Sequence, residues 1–302
     1  MSLSRRAVLA AAVTTALAGC TRSATGAAGG PATPGTAGNP TTPGSPGSTP
    51  KGGAPRPVGR TTGATPPAVT RAQIVARYRH AKPRHWSLET PGIVRALPTT
   101  ERVIALTFDA CGGPGGDGYD RRLIDFLRRR EVPATLFLNS RWIDANRAVF
   151  RELAREPLFE IANHGTRHRP LSVNGRSAYG IAGTRDAGEV YDEVAGNRAK
   201  LTRSLGAPPR FFRPGTAYSD EIAVRIAADL GERVVGFTVN GDGGATLGPG
   251  EVRRTVAKAR PGSIVICHMN HPEGGTAEGI IGAVPHLLAS GHRFVRLSDQ
   301  VH

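Results

Sequence analysis

The chain has 302 residues and a formal net charge of +15, a length that admits one large domain or two ordinary ones. The charge invites a nucleic-acid reading, but its distribution argues against one. No acidic residue precedes Glu89, whereas eleven Lys and Arg do; residues 89–302 carry 28 basic and 24 acidic side chains, a net of +4. The basicity therefore belongs mainly to the leading third, where it suits attraction to anionic lipid or wall polymers. No nucleic-acid partner is expected.

In chain order, residues 1–20, "MSLSRRAVLAAAVTTALAGC", open with a basic start, an apolar stretch too short to span a bilayer comfortably, and small residues before Cys20. That is the pattern of a signal peptide. "SRRAVLA" resembles a twin-arginine export signal, and "LAGC" resembles a lipobox, which implies lipidation at Cys20. The expected location is the outer face of the cytoplasmic membrane, held by an N-terminal lipid and facing the cell wall.

Residues 21–68 are almost entirely Gly, Pro, Ser, Thr and Ala. Such a segment buries too little apolar surface to offset the entropy of ordering it, so it reads as a tether. The remaining residues, 69–302, suffice for one full-sized α/β domain with its own core.

From Arg102 onward, short β-branched runs alternate with amphipathic stretches. Strands are expected at "RVIALTF", "ATLFLN", "FEIAN", "FFR", "VVGFTV", "SIVICH" and "HRFVRL", and helices near 120–131, 141–155, 185–204, 219–230, 249–260 and 277–290. This alternation implies βαβ units and a parallel sheet. About seven such strands suit a (β/α) barrel, complete or distorted.

In parallel α/β folds the chemistry gathers at the carboxyl ends of the strands. Here those ends carry Asp109, then Asn163 and His164, then Arg213, then Asn240 and Asp242, then His268. Turns built only to reverse the chain would rarely carry so many titratable groups, and His164 and His168 have a spacing that can bring two imidazoles to one metal. Together these residues read as a site.

The motifs "TFDAC", "HGTRH", "FRPG", "NGDGG" and "IVICH", in that order over roughly residues 100–298, resemble the polysaccharide deacetylases, the NodB-like carbohydrate esterases. The resemblance implies a distorted (β/α) barrel that uses a divalent metal, usually zinc, to remove acetyl groups from chitin, peptidoglycan or xylan. It implies His164 and His168 as metal ligands and Asp109 as general base. Arg213 would hold Asp109, Asp242 would fix Arg213, and His268 would protonate the leaving group.

One position departs from the family. Its second Asp, usually the third metal ligand, is Ala110 here. The missing donor is expected from a loop carboxylate, Asp117 or Asp120, although Asp120 equally suits a helix N-cap. Alternatively Cys111 ligates as a thiolate, or two histidines hold the metal weakly. In an exported protein Cys111 and Cys267 could also pair as a disulfide pinning the site, which would exclude Cys111 as a ligand; otherwise Cys267 is a small core residue. Trp142 and Tyr218 are equally suited to stacking on sugar or to packing. His271 reads as polar rim, and His85 and Trp86 receive no role.

The leading expectation is a metal-dependent deacetylase of an acetylated polysaccharide, with N-acetyl groups of peptidoglycan favoured and chitin or O-acetyl xylan next. A glycan-binding lipoprotein with a decayed site is a second reading, prompted by Ala110. A metal-independent hydrolase of small amides is a third.

Overall fold

The structure, a computed structural model, describes residues 69–302. The leader with Cys20 and the tether at 21–68 lie outside the described residues. Among those described, no helix is long and apolar enough to cross a membrane.

Eight short strands form one parallel sheet: β1 Val103–Ala110, β2 Ala134–Leu138, β3 Phe159–Asn163, β4 Phe211–Phe212, β5 Arg233–Val234, β6 Val239–Asn240, β7 Ile264–His268 and β8 Arg293–Phe294. Seven follow a continuous path in the order β5-β4-β3-β2-β1-β7-β6, and β8 pairs with the start of β1. Around them run α1 Arg71–Tyr78, α2 Arg121–Arg129, α3 Ser140–Ala145, α4 Arg147–Leu153, α5 Ala187–Leu205, α6 Glu221–Asp229, α7 Pro249–Val256 and α8 Thr276–Ala289. This is the expected α/β architecture, a distorted (β/α) barrel whose sheet curls into a half-barrel.

The curl follows from chain connectivity. β5 and β6 occupy opposite ends of the strand order yet are joined by only residues 235–238. At most about 3.6 Å per residue can be spanned, so the two edges must approach one another. The run "VVGFTV", expected as one strand, is thus two. Its break has a cause: the Val235 and Gly236 carbonyls accept hydrogen bonds from the Arg213 guanidinium at 3.2 and 3.1 Å.

All eight residues of β1 are buried, as expected for a parallel strand covered on both faces. Its side chains alternate between two cores. Ile104, Leu106, Phe108 and Ala110 pack outward with Leu123, Ile124 and Leu127 of α2 and Ile280 and Val284 of α8. Val103 and Ala105 pack inward with Phe137, Ala162, Phe211 and Ile264. Thr107 and Asp109 continue the inward row, which sets the site above the inner core.

The helices begin where the sequence supplies caps. The Asp120 carboxylate accepts from the Leu123 N–H at 2.9 Å, so Asp120 is an N-cap. Asp186 and Asp220 cap α5 and α6 in the same way, each cap contributing about 1 kcal/mol. The stretch expected as one helix over 141–155 divides into α3 and α4 at Asn146.

Candidate active site

Asp109 and His268 end neighbouring strands and are register partners. Parallel pairing therefore delivers a carboxylate and an imidazole to the same mouth of the barrel. Both line a cavity of about 390 Å³ that His164 and His168 also face.

Asp109 is 2 % exposed and Arg213 is fully buried. The guanidinium donates to Asp109 Oδ1 at 2.7 Å and to Thr107 Oγ1 at 2.9 Å through Nη1. Its Nε and Nη2 go to the Val235 and Gly236 carbonyls, and its Cζ lies 4.1 Å from the Phe137 ring centroid. A buried charge held this way is tolerable because each of its three nitrogens donates to a partner. The contact fixes Asp109 with Oδ2 turned to His164, whose Nε2 lies 3.5 Å away.

The sequence expectation that Asp242 fixes Arg213 is corrected. Asp242 accepts the main-chain N–H of His268 at 2.6 Å, lies 3.0 Å from its Nδ1 through Oδ1, and accepts the Thr276 hydroxyl at 2.9 Å. Arg213 needs no second carboxylate because two carbonyls freed by the broken strand satisfy it. Burial pushes the Asp242 carboxyl up, but hydrogen bonds from His268 and Thr276 outweigh it and hold the group below its ordinary range. Burial pushes His268 down, yet Asp242 and Cys111 outweigh it and raise the imidazole well above its usual value. With Nδ1 committed to Asp242, Nε2 is the free nitrogen of His268.

His164 is 1 % exposed, and its Nδ1 lies 2.9 Å from the Arg213 carbonyl. A carbonyl can only accept, so Nδ1 carries hydrogen and Nε2 presents a lone pair. His168 sits edge-on to it, the ring centroids 4.9 Å apart. Its backbone has φ +61°, an uncommon conformation for a residue with a Cβ. The turn after β4 leans directly on it: a Cβ at Gly215 would come within 2.3 Å of the His168 carbonyl carbon. Only glycine in "FRPG" lets the two turns meet.

Cys111 completes this corner. Its Sγ lies 3.8 Å from His164 Nε2, and donor atoms of Cys111, His164 and His168 all lie within 4.8 Å of one another. Burial pushes the thiol up, but His168, His164 and His268 together pull it well below its ordinary range. A thiolate with two imidazoles is a donor set that zinc accepts, so the residues present fit a divalent ion. Burial pushes the His164 ring down, while the Asp109 charge and Cys111 outweigh it and raise it.

The loop carboxylate expected as third ligand is not among these donors. Asp117 is exposed and accepts the Gly113 N–H at 2.7 Å, which is turn chemistry. Ala110 is fully buried in the outer core, while the next residue, Cys111, returns to the side of Asp109. The disulfide is also corrected, since Cys111 and Cys267 are both free. Strand alternation separates them: Cys267 precedes His268 and packs outward among Leu106, Phe108 and Val252. Burial pushes its thiol well up.

Asn163, which the strand ends singled out, and three residues that sequence reasoning missed, Glu193, Asn139 and Asn197, support the loop of His164 and His168. The buried Glu193 of α5 accepts the Arg167 and Arg169 N–H groups at 3.0 and 3.2 Å. Asn139 donates to the His164 and Gly165 carbonyls at 2.9 Å each. Asn163 accepts from Gly165 N–H at 2.9 Å and Asn197 at 2.8 Å and donates to Glu232 at 2.9 Å. Glu193, Asn139 and Asn197 carry no motif signal; Glu193 reads as one more surface acid on a helix. Trp142 is fully buried and donates to the Gly118 carbonyl, so it packs. His271 pairs with Glu273 away from the cavity.

Residues 96–235 match the family model "Polysaccharide deacetylase". The chain is 28% identical over 175 residues to a chitooligosaccharide deacetylase of Bradyrhizobium sp. (strain ANU 289), covering 57% of this chain and 73% of that protein. It is 22% identical over 167 residues to the uncharacterized protein YlxY of Bacillus subtilis (strain 168), covering 55% of this chain and about half, 49%, of that one. Among solved structures it is similar to a CE4 family pseudoenzyme from Bacillus anthracis, with TM-score 0.59, 21% identity and 70% of each chain covered. It is also similar to a peptidoglycan N-acetylglucosamine deacetylase, with TM-score 0.58, 22% identity, 69% of this chain and 92% of that one. The fold is that of the family 4 carbohydrate esterases, and the match to the polysaccharide deacetylase model spans residues 96–235 of it.

Proposed function

We propose that this chain is a metal-dependent hydrolase that removes acetyl groups from a polysaccharide, with the N-acetyl groups of peptidoglycan as first substrate. One observation carries the reading. The Asp109–Arg213 and His268–Asp242 pairs stand in register at one cavity, beside a cluster of three metal-ligating side chains. The relatives named for chitooligosaccharide and for peptidoglycan deacetylation lend support to the substrate class.

Cys111, His164 and His168 would hold the divalent ion, zinc by the character of the donors. Such an ion, when bound, polarises a carbonyl and lowers the pKa of water. Asp109 takes the proton of the attacking water at Oδ2 while Arg213 occupies Oδ1 and keeps the carboxylate aimed. His268 delivers a proton from Nε2 to the departing amine, and Asp242 stabilises the imidazolium and holds its tautomer. Amide cleavage needs a base for the nucleophile and an acid for the leaving group, and the cavity presents one of each.

The leader supports a location on the outer face of the cytoplasmic membrane. There Cys20 would carry the lipid and residues 21–68 would let the domain reach the wall, so the partners are the membrane, through that lipid, and the glycan. Ala110 favours one second reading, a glycan-binding lipoprotein with a decayed site; the retained base and acid weigh against it.

The test is acetate released by residues 69–302 from peptidoglycan, N-acetylated chitin oligomers and acetylated xylan, with and without chelator and added zinc. Metal-dependent release, lost in Asp109→Asn and His164→Ala, is the expected result. No release from any of the three, with no metal retained, would leave glycan binding as the better reading.

A further inference from the structure

The described residues include two exposed large hydrophobic side chains, Tyr179 at 73% and Ile181 at 37%. Tyr179 lies within a single turn that Ile181 closes, and both line the cavity that holds Asp109, His164 and His268. Ala178 and Ile181 exchange both backbone hydrogen bonds, at 3.1 and 2.9 Å. Between them Tyr179 and Gly180 have φ +53° and +75°. That is the two-residue hairpin turn in which Asn, Asp or Gly is the ordinary first residue. A tyrosine there carries a backbone cost and an exposed ring.

The ring is supported from below. Tyr179 meets Tyr218 edge-on at 5.5 Å and 80°. Tyr218 packs on Trp86 at 5.7 Å, and the Arg176 guanidinium lies 5.3 Å from the Trp86 ring centroid. Tyr218 follows Ala217, itself at φ +60°, and its carbonyl accepts the Leu171 N–H at 3.0 Å. A braced row of aromatics therefore runs from the mouth of the cavity outward. A pyranose ring has an apolar C–H face edged by hydroxyls, and a tyrosine with an apolar face and a polar tip matches that pattern.

We propose that the Tyr179–Ile181 turn, backed by Tyr218 and Trp86, is a subsite for a sugar ring next to the one being deacetylated, so that the protein recognises an oligosaccharide chain and not a single acetylated sugar. This rests on the glycan-deacetylase reading and adds to it the demand for chain length.

The experiment measures binding and turnover separately. Binding of N-acetylglucosamine and of its β-1,4-linked pentamer is measured by calorimetry on Asp109→Asn, alone and combined with Tyr179→Asn, which suits the turn but lacks the ring. Acetate release is measured in the otherwise unaltered chain and in Tyr179→Asn and Tyr179→Phe, with 4-nitrophenyl acetate as a substrate too small to reach the subsite. The pentamer should bind about tenfold more tightly than the monomer, and Tyr179→Asn should remove that advantage. In turnover, Tyr179→Asn should raise KM for the pentamer alone, and Tyr179→Phe should keep most of the affinity. Equal binding of monomer and pentamer, no binding of the pentamer, or an unaltered advantage in Tyr179→Asn would overturn the subsite. Length-dependent binding without acetate release would keep the subsite and refute the hydrolase; acetate release without length dependence would do the reverse.

Discussion

Asp242 grips His268 twice, through the main-chain N–H at 2.6 Å and at the ring Nδ1, 3.0 Å away. The imidazole is thus fixed in orientation as well as in charge. Asp242→Asn should keep the geometry and weaken the charge, lowering kcat on the order of 10²-fold. His268 is raised in the folded state, so its protonated form persists to higher pH and sets the basic limb of the rate profile. Losing the carboxylate should move that limb to lower pH, which a kcat–pH profile would reveal; an unmoved limb would sink the assignment.

The same pair predicts a stability window. A raised histidine contributes stability fully present below its unfolded pKa of about 6.5, lost as pH rises through the folded value. A depressed carboxylate such as Asp242 contributes stability above its unfolded pKa of about 3.9, lost as pH falls through the folded value. The pair should therefore stabilise most between about pH 4 and 6.5. Melting curves of Asp242→Asn should show their largest deficit inside that window; a deficit uniform in pH would contradict the coupling.

Cys111, and not Asp117, should decide metal retention. Cys111→Ala is expected to weaken zinc binding by about 100-fold or more, whereas Asp117→Ala should leave it nearly unchanged. Equilibrium dialysis with zinc would measure both, and cobalt loading would add a thiolate-to-metal absorption band that vanishes in Cys111→Ser. Retained affinity in Cys111→Ala would return the third donor to another residue.

Arg213→Ala should cost about 3–5 kcal/mol, because it leaves Asp109 buried without its partner and frees the Val235 and Gly236 carbonyls. Arg213→Lys should recover little, since an ammonium cannot reproduce the planar fork that reaches two carbonyls and a carboxylate together. Urea denaturation would measure both; a lysine variant as stable as the parent would show that charge alone suffices.

Glu232 behind the site should make stability fall with pH. Burial raises its carboxyl well above the ordinary value, against the lowering influence of Asn163 and Arg198. The folded state then binds this proton more tightly than the unfolded chain, so stability declines as pH rises from about 4.3 through the folded value. Glu232→Gln should remove that decline and raise Tm at pH 8 by about 3 °C. A lower Tm at pH 8 than at pH 5, relative to the parent, would reject this.

The rule that parallel strands end in chemistry singled out Asp109, His164, Arg213, Asp242 and His268, and the fold gathers them at one cavity or directly behind it. Partners were harder, because a strand end gives a location and no direction. Asp242 was assigned to Arg213 when the nearer group is His268, and only the break between β5 and β6 reveals that carbonyls had taken the guanidinium. The placing of Cys111 beside the two histidines was legible in principle. Period-two alternation places positions 109 and 111 on one face and 110 on the other, so Ala110 need not be a lost donor. Glu193, Asn139 and Asn197 had no signal, since they act through backbone groups that no motif records. Tyr179 was passed over because an aromatic in a polar loop has no periodicity to betray it.

The break between β5 and β6 has one more consequence. The side chain that steadies the Asp109 carboxylate also clasps the segment joining the two margins of the sheet. A lineage drifting from catalysis to mere adhesion could shed Cys111 or His268 and keep its shape, but shedding Arg213, or stripping it of Asp109, would unfasten the barrel. Retention of this arginine in a silent relative would therefore record architecture, and only the fate of its neighbours would record activity.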